Sequence, residues 1–276
     1  MSVSGRWQLT PVQLDVVLKY LRINGLTLPL STTSAGRTTG ELSRIAKAEL
    51  PRMESLGLVI DDEVPPPLVD ALGALAEPHL WIDSIWYPQV GADHCWRAVA
   101  VLTPDDEVVL GVQAPSENPK RGGLLTVEVH NRVSLAQALL GTLPPAPPGN
   151  RGTVRVPETS FRTDEQPADD FGQQSLMQGG TPARARASSG DRQVALYQAI
   201  SHAEHLRIGQ LAANLRDRNG RRNRSQIAWW LDNHEPDGRY LNRTERGSTG
   251  ERVFAMLPAD ARMIGGQVEA LIAQVR

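Results

Sequence analysis

Four side chains that could carry out acid–base chemistry lie within the ten residues LDNHEPDGRY, residues 231–240: Asp232, His234, Glu235 and Asp237. Paired carboxylates beside a histidine could act as a general acid and base, or offer oxygen and nitrogen ligands to a metal ion. The same segment contains Pro236-Asp237-Gly238, residue types that a tight turn prefers on steric grounds. The pattern therefore predicts the polar tip of a β-hairpin rather than a catalytic centre.

A second possible metal site begins at His202 and His205, which flank Glu204 near the end of a predicted helix. A protein metal site usually needs three or four ligands, and the other candidate ligands lie in unrelated segments: His79, His94 and Cys95. The sequence also has no G-x-S-x-G, H-E-x-x-H or G-x-x-x-x-G-K-[ST] motif. We therefore predict no catalytic residues, no metal and no cofactor, and a protein that is not an enzyme.

Composition restricts the class of protein further. The chain of 276 residues is 40% hydrophobic and has a formal net charge of −2, which predicts a folded, soluble protein without global attraction to nucleic acid or anionic membranes. Its single cysteine, Cys95, excludes an internal disulfide. The start, MSVSGRWQLT, has no apolar signal region, and no segment approaches the about 20 apolar residues of a membrane span. We expect a cytoplasmic location and no membrane insertion.

The first part of the chain is predicted to be helical. A short strand at Trp7–Leu9 leads into a helix that begins at Thr10-Pro11, an N-cap followed by proline in the first turn. A second helical region runs from Thr38 to Gly57, and we expect Pro51 to break it. A third helix follows the prolines at positions 65–67.

Alternating apolar residues then predict strands. Four such segments follow one another between residues 80 and 131, separated by turn residues: LWIDSIWY, CWRAVAVL, EVVLGVQA and LLTVEVHN. They predict an antiparallel meander. A helix capped by Ser134 (SLAQALLGTL), a proline-rich stretch (LPPAPPG) and a short strand (GTVRVP) come next.

Residues Thr163–Asp191 contain few large apolar side chains, so we predict a flexible linker that tolerates shortening. The first pattern then returns, as a helix, four strands and a last helix: QVALYQAISHAE, HLRIGQLAAN, SQIAWWLDN, GRYLNRT, RVFAMLP and residues 260–275. Two copies of helix, meander and helix predict one α+β domain with a shared antiparallel β-sheet and quasi-twofold symmetry. Residues 1–162 form its predicted N-terminal half, and residues 192–276 form its C-terminal half.

Four segments, in this order and spacing, carry a resemblance to a known family: WQLTPVQLDVV, LPRMESLGLVIDDEVPPPLVDALGALAEP, VSLAQALLGTLPPAPPG and DGRYLNRTERGSTGERVFAMLPADARMIGGQVEALI. They resemble the EspG family, the cytoplasmic chaperones of the ESX (type VII) secretion systems of mycobacteria and related actinobacteria. The resemblance implies a quasi-twofold central antiparallel β-sheet flanked by two helical bundles. The chain departs from the family pattern in RVFAMLP, which still predicts a strand, and in the unusually basic segment GRRNRSQ.

The resemblance also implies a partner and a site. Family members bind the helical tip of the PPE protein in a PE–PPE heterodimer and keep it soluble until export. The tip docks on the central sheet and the C-terminal helical bundle, beneath the loop that corresponds here to Tyr87–Cys95. The matching strand in the second half is Leu206–Ala212. The implied partner-binding residues are Trp86, Tyr87, Val90, Leu206, Ile208, Gln210 and Ala212.

Within that site, we expect Ile208, Gln210 and Ala212 to form a concave face roofed by Trp86, Tyr87 and Val90. Tyrosine at Ala212, or at Gln210 if the register is shifted, should then fill the groove and block binding without unfolding the protein. Arginines at positions 221, 222 and 224 are expected to be rim charges of smaller effect.

The paired tryptophans Trp229 and Trp230 lead to a separate prediction. Adjacent strand residues point to opposite faces, so both rings cannot pack beneath the same helices. Trp229 therefore joins the candidate partner-binding residues, with the alternative that both rings are core. Whether the protein is a homodimer stays open.

The alternative function is nucleic-acid binding. Arg216–Arg224 (RDRNGRRNR) contains five arginines and one aspartate, and TTGELSRIAKAELPRMESLGLV is similar to part of a winged helix. Against this interpretation, the arginines fall in a predicted hairpin loop and Pro51 interrupts the would-be recognition helix.

Overall fold

A computed structural model describes residues 2–36, 38–118, 121–161 and 189–276 of the chain. The predicted linker lies outside the described residues, except for Ser189–Asp191. Those three residues form the first turn of a helix, so the helix begins earlier than the sequence pattern indicated.

The described residues contain eleven strands in one antiparallel sheet, in the order β1-β5-β4-β3-β2-β7-β9-β10-β11-β6, with β8 paired to β7. The strands are β1 (Ser2–Leu9), β2 (Leu80–Tyr87), β3 (Trp96–Leu102), β4 (Val108–Gln113), β5 (Leu125–Asn131), β6 (Val154–Pro157), β7 (His205–Arg216), β8 (Arg222–Arg224), β9 (Ala228–Asn233), β10 (Gly238–Arg246) and β11 (Arg252–Pro258). Both predicted meanders are present.

The strand order confirms the predicted quasi-twofold sheet. The central strands β2 and β7 are antiparallel neighbours, and each half extends outward from one of them. A strand from earlier in the chain closes each edge, β1 beside β5 and β6 beside β11. Because β6 pairs with β11, it belongs to the C-terminal half of the sheet. The boundary between the two halves of the sheet therefore lies before Val154 and not at residue 162.

Six α-helices lie in the described part of the chain: α1 (Pro11–Tyr20), α2 (Thr39–Ser55), α3 (Pro66–Ala76), α4 (Leu135–Leu140), α5 (Ser189–Ser201) and α6 (Ala261–Val275). Thr10 caps α1 as predicted, in a capping box with Gln13. The expected break at Pro51 is wrong, because α2 continues through it. Pro51 and Lys47, one turn before it, are both exposed, so water can satisfy the carbonyl that proline leaves without a helical donor. None of the described helices is both long and apolar enough to cross a bilayer.

Three hydrophobic cores hold these helices against the sheet. Helices α4 and α6 cover one face of the central strands around Ile82 and Trp230. On the other face, α1–α3 pack over the N-terminal half around Trp81 and Val99. The third core, beside α5, forms around Tyr240 and Met256 in the C-terminal half. The second face is therefore covered at its two ends.

The position of Trp230 depends on a glycine in the neighbouring strand. Gly209 of β7 is the cross-strand partner of Trp230 in β9. A Cβ atom at Gly209 would lie 2.5 Å from Cε2 of the indole, which is too close for any larger residue. Gly209 thus lets the ring lie flat on the strand and fill the core beneath α4 and α6.

Candidate functional site

The strip of sheet between the α1–α3 core and the α5 core carries exposed and half-buried side chains from β2, β7 and β9. We call this strip the open face, and define it by Ile85, Tyr87, Ile208, Gln210 and Trp229. The register aligns Gln210 with Ile85 on one side and with Trp229 on the other. Trp229 is 42% exposed and Tyr87 is 36% exposed. The open face is thus an apolar patch of the sheet that no helix of the described chain covers.

Asp83 lies at the α1–α3 end of the open face and is 2% exposed. Arg224 donates to both of its carboxylate oxygens, at 2.9 and 3.1 Å, and the Asn214 side-chain amide donates at 2.8 Å. Arg222 approaches Oδ2 at 3.5 Å. Burial raises the pKa of the Asp83 carboxyl, and the charges of Arg224 and Arg222 oppose that shift. A buried carboxylate is thus neutralised by arginines from another part of the chain.

Those arginines come from the basic segment, which forms the β7–β8 hairpin closed by Asp217–Arg221. The predicted hairpin is confirmed. Arg222 and Arg224 are exposed, and both also reach the buried Asp83, a contact that the sequence did not predict. Arg224→Ser would remove the main partner of a buried charge, so it tests stability as well as binding, whereas Arg222→Ser leaves the Arg224–Asp83 pair in place.

Ala212 does not form part of an accessible groove. It lies on the predicted face of β7, but it is fully buried, in register with Asp83. Tyrosine at this position would disturb the packed sheet and the Asp83 ion pairs, so it cannot serve as a fold-preserving test. Gln210, one pleat further along β7, is half-buried and can serve that purpose.

Trp86 lies on the opposite face from the one expected. It is paired with Gly209 in β7, stacks on Trp96 with ring centroids 5.7 Å apart, and contacts Trp230 beneath α4 and α6. The prediction that Trp86 covers the binding groove is therefore wrong. Tyr87 and Ile208 are cross-strand partners on the open face.

The other two predicted site residues lie at its margin. Val90 is exposed in the loop between β2 and β3. Leu206 is half-buried in a bulge between His205 and Arg207, where β7 pairs irregularly with β9.

Ile85 and Ile227 were missed by the sequence analysis. Ile85 lies between Asp83 and Tyr87 on the same side of β2, and Ile227, just before β9, is 40% exposed. The alternation of β2 contains the signal for Ile85, since residues 83, 85 and 87 share a face.

The acidic cluster at residues 232–237 forms the predicted hairpin turn between β9 and β10. His234 and Glu235 are exposed at its tip. The two aspartates, however, are buried and paired: Asp232 with Arg239, and Asp237 with Arg151. Their carboxylates are structural ions of the C-terminal half.

The histidine pattern gives no metal centre among the residues that the structure describes, where no three candidate ligands converge. His205 instead contacts the Asn233 side-chain oxygen through Nδ1 at 2.6 Å and the Ser201 carbonyl through Nε2 at 3.0 Å. These contacts tie the end of α5 to β9.

The Tyr240 hydroxyl should ionise only at strongly alkaline pH. Burial and a hydrogen bond to Asp237 raise its pKa to about 12, from 10.0. Because the folded state holds this proton more tightly, the contribution to stability is complete below about pH 10 and is lost as the pH rises towards 12.

Ultraviolet absorbance of the phenolate checks this expectation. The folded protein should show one late step that Tyr240→Phe removes. A titration curve whose alkaline end is the same in the wild type and in Tyr240→Phe would contradict it.

Comparison with known proteins agrees with this architecture. The sequence model of the EspG family matches residues 10–270. The structure is similar to that of the Mycobacterium tuberculosis type VII secretion system chaperone EspG5, solved in complex with a PE25–PPE41 dimer. The TM-score is 0.64 at 15% identity, covering 99% of this chain and 97% of that one. No curated protein sequence matches. Because the family match spans nearly the whole chain, the protein belongs to the EspG family.

Proposed function

We propose that this protein is a cytoplasmic chaperone that binds the helical tip of the PPE protein in a PE–PPE heterodimer. It keeps the heterodimer soluble and directs it to a type VII (ESX) secretion system. Family membership across residues 10–270 carries the proposal. The similar EspG5 structure, solved with a PE–PPE dimer, and the exposed apolar side chains of the open face support it.

The open face suits such a partner physically. A helical tip that exposes apolar side chains self-associates in water, and the open face offers Ile85, Tyr87 and Trp229 to cover them. Gln210, between Ile85 and Trp229, offers a donor and an acceptor for backbone groups at the end of a helix. Shielding of this kind needs only surface complementarity, so we propose no catalytic step, metal or cofactor.

Co-expression with candidate PE–PPE pairs tests the function. The expected result is that one pair stays soluble only with this protein and co-elutes with it in a stable complex. If every pair from the same genome fails to co-elute, and none gains solubility, the chaperone proposal is wrong.

Gln210→Tyr should weaken binding of the cognate pair by about 10-fold or more, because the larger side chain occupies the centre of the open face. Gln210 is half-buried at the surface, so the melting temperature should change little. Met263→Tyr is the matched control, since Met263 is exposed on α6 at the other face of the sheet. Isothermal titration of both variants checks the prediction, and equal affinities would place the site elsewhere.

A further inference from the structure

One side of the β7–β8 hairpin carries three arginines, on the same face of the sheet as the open face but beyond Asp83. Arg216 of β7 is opposite Arg222 of β8, and Asn214 is opposite Arg224. Because side chains alternate along a strand, these arginines lie on the same face as Gln210 and Asp83. The contacts of Arg222 and Arg224 with Asp83 confirm this direction.

This side of the hairpin carries more positive charge than Asp83 can balance. Asp83 is largely satisfied by Arg224 and Asn214. Arg222 directs two of its nitrogens to the neutral side-chain oxygen of Asn214, at 2.7 and 3.0 Å. Burial lowers the pKa of the Arg222 guanidinium, the neighbouring charges of Arg224 and Arg216 lower it further, and Asp83 opposes the shift. Two guanidinium groups therefore contact one carboxylate, and Arg216 adds a third positive charge opposite Arg222.

Arg216 is the least compensated of the three. It is half-buried, and no described residue forms an ion pair with its side chain. Like charges held together at the edge of an apolar surface are unfavourable unless a partner supplies the opposite charge. The excess lies on the same face of the sheet as the open face, with Arg216 six residues, or about 20 Å, along β7 from Gln210.

We propose that the partner bound at the open face carries acidic side chains beside its apolar tip, and that Arg216 and Arg222 pair with them. This inference rests on the proposed function and names the chemistry that selects among partners. An apolar tip flanked by neutral or basic residues would bury the arginine charges without compensation and would be rejected.

The charge distribution favours an acidic protein surface over nucleic acid. The hairpin has five arginines and one aspartate, so together with Asp83 its net charge is about +3, whereas proteins that grip a DNA backbone neutralise roughly 6–10 phosphates. The chain as a whole has a formal net charge of −2 and would repel a polyanion away from the hairpin.

The test compares two charge reversals in the same hairpin. Arg216→Glu changes the face that carries Asp83, and Arg221→Glu changes the other face, by strand alternation next to Arg222. The two variants have the same net charge. We expect Arg216→Glu to weaken binding of the cognate PE–PPE pair by about 10-fold and Arg221→Glu by about 2-fold or less. We also expect added salt to weaken the wild-type complex more than the Arg216→Glu complex.

The outcomes separate the two proposals. If the wild type binds no PE–PPE pair, the proposed function fails. If the wild type binds and the two variants bind equally well, the function stands and the acidic-partner inference is wrong. If Arg216→Glu abolishes binding of a labelled oligonucleotide while PE–PPE binding is unchanged, the arginines serve a nucleic acid and the inference is again wrong.

Discussion

Asp232→Asn should lower the free energy of unfolding by about 3–5 kcal/mol. Asp232 is 2% exposed and accepts two hydrogen bonds from Arg239, which is also buried, at 2.5 and 2.8 Å. Arg207 lies 3.2 Å from the same carboxylate. A neutral amide at this position would leave two guanidinium groups without their counter-ion. Arg239 cannot move to water, since it also lies over the Trp230 ring and donates to the Pro144 carbonyl.

Glu235→Gln is the control, because it makes the same carboxylate-to-amide change three residues along, at the exposed tip of the turn. It should change stability by less than about 0.5 kcal/mol. Urea unfolding followed by tryptophan fluorescence measures both. Similar midpoints for the two variants would mean that the Asp232–Arg239 pair contributes nothing beyond a surface ion pair.

These two carboxylates show which features of residues 231–240 can be predicted from that segment alone and which depend on distant parts of the chain. The turn is encoded locally, in Pro236-Asp237-Gly238, and it forms where predicted. Burial of Asp232 is not local, because it depends on the proline-rich stretch closing over Arg239. A sequence window could place the hairpin, but it could not tell a solvated carboxylate from a buried one.

The same distinction applies to the sheet. Both meanders follow from alternation and short turns, which are properties of neighbouring residues. The pairing of β6 with β11 joins residues about a hundred positions apart and has no local signal. The Arg224–Asp83 pair spans 141 positions, although an aspartate inside the apolar strand LWIDSIWY could have indicated that a cation had to come from elsewhere.

One error could have been avoided from the sequence alone. Trp86 and Tyr87 are adjacent in a strand, so they cannot both lie over one groove, and the structure places them on opposite faces. The same parity argument, applied to Trp229 and Trp230, gave the correct expectation. Trp230 is fully buried beneath α4 and α6, whereas Trp229 is 42% exposed.

That pair of tryptophans gives the second large expected effect. Trp229→Ala should weaken binding of the cognate PE–PPE pair by about 30-fold or more, since an exposed tryptophan at the centre of an interface commonly contributes 2 kcal/mol or more, roughly. Its free energy of unfolding should change by less than about 1 kcal/mol, because Trp229 belongs to none of the three hydrophobic cores. Trp230→Ala should leave the affinity of the folded protein unchanged. It should lower the free energy of unfolding by about 3–5 kcal/mol, because it leaves a cavity in the core.

The two variants make the same chemical change one residue apart in β9, so they differ only in the face of the sheet that loses a ring. Affinity for the PE–PPE pair should be measured for both variants and for Gln210→Tyr, each at a temperature below the melting temperature of that variant. Loss of affinity in Trp229→Ala with an unchanged melting temperature would locate the partner on the open face. If Trp229→Ala instead melts early and its folded fraction binds like the wild type, then Trp229 packs within the protein and the open face is not the binding surface.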